Sequence, residues 1–252
     1  MNYNKIAEAL DTAAYEAKPI VQISKSQEMT LEEAYAIQSI SIARRYIRGE
    51  SRLGLKLGFT SKAKMEQMGV HDMIWGRLTD KMMYEEGAEI SKSDFIHPRA
   101  EPEIAFKVKK LIDKEITLEN AKEYVSAVAV AIEIIDSRFQ NFKFSLEDVV
   151  ADNCSSAAYT IGEWKENAPI TDIAMSLVVD NVIIHKGNSN AILGNPWESF
   201  VAAARLAKEN GEVLNTGDVI LAGAATPAIY IDSGQKVSAH AEGLGSVFLS
   251  VV

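Results

Sequence analysis

Apolar residues recur at helical spacing near the start of the chain. Ile6, Leu10 and Ala13 share one helical face within residues 4–16. Thr30-Leu31-Glu32-Glu33 has the form of a capping box, Ala36, Ile40, Ala43 and Ile47 follow at helical spacing, and Gly49 marks the stop. The first fifty residues therefore read as two helices. The period then drops towards two. Leu53 to Phe59 alternates around glycines, and Glu101 to Val108 alternates with Pro102 near its start, where a missing N–H is tolerated. Both segments read as strands. Ala127 to Ile135 is an apolar run rich in Val and Ile, as expected of a central buried strand. Short helices are expected over Ser61–Met68 and Thr117–Tyr124.

The last third continues the strand theme. Ile173 to Ile184 carries Asp180-Asn181, a hairpin signal. Asn195-Pro196-Trp197-Glu198 combines a cap, a first-turn proline and an acid. It starts a helix that runs to Asn210, before Gly211. Val219–Leu221, Lys236–Ala241 and Ser246–Val252 read as short strands between glycine turns. Strands outnumber helices and do not alternate with them as in a doubly wound fold. The expected class is α+β, with a mixed, mostly antiparallel β core. No linker splits the chain, so residues 1–252 are expected to form a single catalytic domain, with a helical N-terminal segment over 1–50 and a β-rich core over 51–252.

Composition narrows the function classes. The 252 residues are 47% hydrophobic and 24% charged, the range of a globular protein with a sizeable core. The net charge is −9, and no block of Lys and Arg offers a nucleic-acid footprint. The longest apolar run is too short to span a bilayer. One cysteine, Cys154, excludes an internal disulfide. The start of the chain lacks the apolar stretch of a signal peptide. These features point to a soluble cytoplasmic protein that binds neither membrane nor nucleic acid.

Three carboxylates stand out. Glu101 and Glu103 lie two apart on a predicted strand, so both fall on one face. Glu133 sits within the most apolar stretch, AVAVAIEIIDSR, where a carboxylate is costly unless paired or bound to metal. Oxygen donors without Cys or clustered His suit Mg2+ or Mn2+ better than zinc. The alternative is structural: a solvated E-x-E face, with Glu133 paired to Lys56 or Arg138.

Ordered motifs then carry a resemblance. They are Gly54-Leu55-Lys56-Leu57-Gly58-Phe59-Thr60-Ser61, Pro98-Arg99-Ala100-Glu101-Pro102-Glu103-Ile104-Ala105-Phe106, Glu133-Ile134-Ile135-Asp136-Ser137-Arg138 and Ala151-Asp152-Asn153-Cys154-Ser155-Ser156. Leu193-Gly194-Asn195-Pro196, Thr216–Leu221 and Glu242–Val247 complete them. Together they resemble the 2-oxopent-4-enoate hydratases and 4-oxalocrotonate decarboxylases of the fumarylacetoacetate hydrolase superfamily. The resemblance implies a β-roll-like core, a cation held by Glu101, Glu103 and Glu133, a catalytic lysine at Lys56 and a substrate contact at Ser155. Ala100, Pro102 and Asn195 depart from the usual motifs, and none of them removes a ligand.

The choice between the sibling activities rests on three features. Lys64–Val70 and Arg138–Phe144, followed by Val149–Asn153, resemble the decarboxylase version. Ile74 precedes Trp75-Gly76 where hydratases of this kind tend to carry Asp, and hydration needs an acid-base group that decarboxylation does not. The resemblance thus implies loss of CO2 from 2-oxohex-3-enedioate (4-oxalocrotonate), giving 2-hydroxypenta-2,4-dienoate in meta-cleavage breakdown of aromatic compounds, with the cation as Lewis acid. It also implies a homo-oligomer and a complex with the pathway hydratase. A hydratase, an acylpyruvate hydrolase and a non-catalytic scaffold partner of a hydratase are the alternatives.

Other residues divide between roles. Arg138 either meets the substrate's far carboxylate or bridges Asp136 structurally. Ile74 is expected to line the substrate site. Cys154 is expected to be a packing residue, His97 a turn residue before Pro98, and Met65, Met68 and Met73 part of a pocket wall or core.

Overall fold

The computed structural model describes every residue except 62–64, 67, 68 and 70. Most of the expected Ser61–Met68 helix and of the Lys64–Val70 motif lies outside the described residues. The two expected N-terminal helices are α1 (Tyr3–Tyr15) and α2 (Leu31–Ile47). The capping box forms: Glu33 N donates to Thr30 Oγ1 at 3.2 Å, and Thr30 N donates to the Glu33 carboxylate at 2.8 Å.

Strands follow: β1 (Arg52–Gly58), β2 (Ile74–Thr79), β3 (Met83–Tyr84), β4 (Glu89–Ile90), β5 (Arg99–Val108) and β6 (Val125–Ile135). The short helix α3 (Leu118–Ala121) precedes β6. Then come α4 (Leu146–Ala151), β7 (Ser156–Ile161), β8 (Ala174–Val179), β9 (Val182–Asn188) and α5 (Pro196–Glu209). The chain closes with β10 (Val219–Ala224), β11 (Ile229–Tyr230), β12 (Lys236–Ala241) and β13 (Gly245–Val251). Asp180 and Asn181 sit at φ 49° and 66° between β8 and β9, the two positive values that a tight hairpin turn needs.

The strands form two sheets. The larger runs β2-β1-β10-β5-β6-β7-β3, with β11 added to β5, and the smaller runs β4-β13-β12-β8-β9. Pairing is mixed: β1 with β10, β3 with β7 and β4 with β13 are parallel, and the remaining pairs are antiparallel. β2 and β3 lie at opposite ends of the larger sheet, yet only a single 3-10 turn, Asp80–Met82, separates them in sequence. The sheet must therefore curl until its ends nearly meet, giving it an outer and an inner face.

Alternation decides what each face carries. Ala100, Ile104 and Phe106 of β5 and Val128, Val130, Ile132 and Ile134 of β6 join Val237, Ala239, Val247 and Leu249 of the smaller sheet in the main core. Leu78, Met82, Ala105, Ala131, Tyr159, Val219 and Leu221 fill part of the inner face. The helical segment packs Ile6, Leu10, Ile37 and their neighbours against Ile74, Phe139, Val149, Val150 and Cys154. The α+β expectation holds. No helix among the described residues is long and apolar enough to cross a membrane.

Candidate metal and active site

Register brings the three glutamates together. Glu101 of β5 stands directly opposite Glu133 of β6, and Glu103 follows two residues along the same face. That face is the inner one, because the flanking Ala100 and Ile104, which point the opposite way, belong to the main core on the outer face. The three carboxylates each offer an oxygen within 4.8 Å of the others. Glu103 and Glu133 are completely buried.

The hydrogen-bond inventory of this cluster is incomplete. Glu103 Oε2 accepts from Gly223 N at 2.7 Å. Glu103 Oε1 and both oxygens of Glu133 are buried without a hydrogen bond. Lys56 Nζ lies 2.9 Å from Glu133 Oε2 but is not aligned as a donor to it. Buried carboxylates cost several kcal/mol unless compensated. Burial, reinforced by Glu133 and Glu101, holds the Glu103 carboxyl well above its ordinary range. For Lys56, burial acts to lower the pKa, but Glu133, Glu101 and Glu103 outweigh it and the ammonium is held more firmly than usual. Three crowded carboxylates, unused oxygens and one ammonium fit a hard divalent cation of the Mg2+ or Mn2+ kind.

The backbone around the site is shaped to admit these groups. Gly223 sits at φ 106°, and a Cβ there would fall 2.1 Å from Thr60 Oγ1. Only glycine lets this strand present its N–H to Glu103. Gly76 of β2 pairs with Lys56, and a Cβ there would meet the Asn153 carbonyl at 2.6 Å. That close approach matters because Asn153, Cys154 and Ser155 are three successive left-handed residues, with φ of 49°, 52° and 59°. Such residues cost about 1–3 kcal/mol each unless the surroundings impose them. Here they are imposed. Arg77 N donates to Asn153 Oδ1 at 2.8 Å, Asn153 Nδ2 donates to Arg77 O at 2.9 Å, and Cys154 Sγ donates to Trp75 O at 3.1 Å. The turn ends on Ser155, whose hydroxyl is buried without a partner.

Arg138 is not brought to the glutamates as a substrate contact. Its Nε donates to Asp152 Oδ1, its backbone N donates to Asp152 Oδ2 at 2.9 Å, and Nη1 and Nη2 donate to the carbonyls of Ser156 and Asp152. Every guanidinium nitrogen is used within the fold. The partner is Asp152 rather than Asp136, whose carboxylate instead accepts from Ile96 N and His97 N at 2.8 Å each, in the bend before Pro98. Ile74 is buried on the same face as Lys56, and a Cβ on Gly58 would sit 3.0 Å from its side chain. It places no acid-base group there. Cys154 is a buried packing residue, and burial first of all raises its thiol to about 12.

Several site-shaping groups escape a reading by motif. Gln38 of α2 is one: its Nε2 donates to Trp75 O at 3.1 Å and Val150 O at 2.8 Å, while its Oε1 accepts from Arg77 at 2.6 Å. Thr60 and Asn153 lie in quoted motifs without an assigned task, and Gly223 lies just beyond one. Arg99 could have been found by spacing, since it precedes Glu101 by two and shares its face.

The family model described as Fumarylacetoacetate (FAA) hydrolase C-terminal matches residues 60–252. The chain belongs to this family. A 4-oxalocrotonate decarboxylase from Pseudomonas sp is 46% identical over 251 residues, covering 99% of this chain and 98% of the relative. A 2-keto-4-pentenoate hydratase from Burkholderia vietnamiensis is 35% identical over 222 residues, covering 85% of this chain and 83% of the relative. Among solved structures, the 4-oxalocrotonate decarboxylase from Pseudomonas putida G7, in complex with magnesium and adipate, superposes with a TM-score of 0.95. It is 31% identical, and the match covers 99% of this chain and 97% of that chain. The family's curled sheet accounts for the inner face on which the glutamates converge, and the helical segment lies mostly ahead of the matched region.

Proposed function

We propose that this protein is a carboxy-lyase that converts 4-oxalocrotonate to 2-hydroxypenta-2,4-dienoate and CO2. The observation that carries this reading is the convergence of Glu101, Glu103 and Glu133 beside Lys56, with buried oxygens of Glu103 and Glu133 left without a hydrogen bond and apolar Ile74 on the same face. The solved relative's ligand, adipate, is a six-carbon dicarboxylate, as is the proposed substrate. The 46% identity to a 4-oxalocrotonate decarboxylase, against 35% to a hydratase, supports the same reading over the hydratase alternative.

Glu101, Glu103 and Glu133 would hold the cation, which when bound supplies a Lewis acid for the substrate's 2-oxo oxygen. Lys56 stays protonated because the carboxylates stabilise its charge, so it serves as a fixed cation and donor rather than a base. It stabilises the negative charge that develops on the substrate oxygen. In the reaction, the C5–C6 bond breaks and its electron pair becomes the C4–C5 double bond. The original double bond shifts to C2–C3, and the 2-oxo oxygen takes up charge and then a proton. Ser155 Oγ, held by the left-handed turn, offers an unused donor to the substrate. Ile74 and the neighbouring apolar inner face leave the departing carboxylate poorly solvated, which favours its loss as neutral CO2.

Residues 1–252 act as one catalytic unit in this account, because Gln38 of the helical segment ties α2 to β2 beside the site. The chain works in the cytoplasm as a homo-oligomer and docks with the hydratase that consumes its product. The exposed Val182, Ile183 and Ile184 on the edge strand β9 supply an apolar surface for self-association.

Release of CO2 tests the activity. Purified protein given 4-oxalocrotonate and Mg2+ is expected to release CO2 and form the dienoate. No CO2, with consumption of 2-hydroxypenta-2,4-dienoate instead, would make it a hydratase.

A further inference from the structure

We propose that Arg99 is the side chain that binds the retained carboxylate of the substrate, the one next to the 2-oxo group. This inference rests on the decarboxylase reading for the identity of the substrate. Arg99, Glu101 and Glu103 alternate along β5 with no irregularity between them, so Arg99 stands on the same inner face, one step beyond Glu101. Across the sheet, Arg99 pairs with Ile135, which pairs with Ser156. The row therefore also runs beside Ser155, whose hydroxyl is buried and unpartnered.

The guanidinium is held but not consumed. It lies 4.0 Å from the Phe142 ring and 4.1 Å from the Tyr230 ring, and Nη2 donates to the Tyr230 hydroxyl. Phe142 follows Asn141 in a turn where both residues have positive φ, and the His97 ring packs against it at a tilt of 43°, with centroids 5.0 Å apart. Arg99 Nε is buried without an acceptor. Arg48, Arg52, Arg77 and Arg138 each pair with a carboxylate. No carboxylate among the described residues pairs with Arg99. A planar cation fixed between two rings, with Nε unspent and no carboxylate partner among the described residues, is built to receive a carboxylate supplied from outside.

Chemistry selects which carboxylate. The departing group loses its charge on the way to CO2, so a guanidinium upon it would stabilise the ground state over the transition state. The retained carboxylate keeps its charge throughout, and a cation there anchors the substrate without opposing the reaction. Arg99 also stands next to Glu101 on the same face of β5, and the retained carboxylate is the one adjacent to the 2-oxo group that the cation would polarise.

Two ligands separate the ends: 2-oxopentanoate carries only the retained carboxylate, and 2-oxoadipate carries both. Calorimetry with Mg2+ present is expected to show Arg99→Gln weakening both by roughly tenfold to a hundredfold, the fold-change of a lost charge-assisted contact. With 4-oxalocrotonate, KM should rise while kcat changes by less than about threefold. Weakening of 2-oxoadipate alone would assign Arg99 to the departing end and overturn the proposal. Unchanged affinity for both, with an unchanged melting temperature, would reduce Arg99 to a packing role. Should Arg99→Gln fail to fold, Tyr230→Phe removes only the hydroxyl that orients the guanidinium. It should weaken both ligands to a smaller, equal degree, and no effect would overturn the proposal. Wild-type protein that binds both ligands but releases no CO2 would sink the decarboxylase reading and leave Arg99 in place.

Discussion

Two buried carboxylates in this molecule each face a cation, and they are treated differently. Asp152 lies in the turn after α4 and takes up both the backbone and the guanidinium of Arg138, leaving the arginine no free nitrogen. Glu133 lies near the C-terminal end of β6 with Lys56 2.9 Å away, yet neither of its oxygens accepts a hydrogen bond. Asp152 and Arg138 complete each other and fix a turn. Glu133 and Lys56 do not, because Glu101 and Glu103 crowd the same space. A buried charge with its bonding filled is structure, and one left short is a place for a ligand.

Breaking the second group should cost most in activity. Glu103→Gln is expected to lower Mg2+-dependent turnover by roughly a hundredfold or more, since even outer partners of a metal are worth about 10–100-fold. The fold should survive, because the change removes a buried charge that burial and two neighbours already oppose. Steady-state kinetics alongside thermal melts checks both halves, and full activity would refute the ligand role.

Breaking the first pair should do the reverse. Asp152→Ala strands the Arg138 guanidinium in the interior and is expected to cost about 3–5 kcal/mol in urea denaturation. Saturating Mg2+ should add the same increment to this variant as to wild type.

The contrast has a pH signature. Without a cation, the folded-state pKa of Glu103 lies well above its ordinary 4.5. The folded chain thus holds that proton more tightly than the unfolded chain. The stability this contributes is fully present below about 4.5 and is lost as pH rises through the folded value. Cation binding needs the carboxylates ionised, so Mg2+ should offset that loss. At a hundred times the dissociation constant the gain is about 2.7 kcal/mol. Melting temperatures with and without Mg2+ should diverge as pH rises, and parallel curves would count against Glu103 as a ligand.

The smallest effect falls on Ile74. Ile74→Asp places a carboxylate on the face of Lys56 and should lower the CO2 release rate by about tenfold, equivalent to about 1.4 kcal/mol of barrier. An unchanged rate at equal folded fraction would remove Ile74 from the account.

Periodicity made much of this fold legible. α1, α2, β5, β6, the β8–β9 hairpin and the capped α5 all follow from spacing and caps. β2 does not, because all its residues are buried and Ile74–Thr79 shows no alternation. The curl of the sheet was equally hidden, since the turn Asp80–Met82 contains neither Gly nor Pro. The three converging carboxylates were legible as E-x-E plus a lone acid in an apolar strand. The partners of the arginines were not. A sequence does not reveal that Arg138 meets an acid fourteen residues on, or that Arg99 is wedged between Phe142 and Tyr230.

The central claim is that the unfilled carboxylates form one cation site. Mn2+ titration followed by electron paramagnetic resonance tests it most directly. Wild type should bind a single Mn2+ per chain, displaceable by Mg2+, and Glu133→Gln should lose that binding while keeping its melting profile. Equal Mn2+ binding by Glu133→Gln and wild type, or none by wild type, would contradict it.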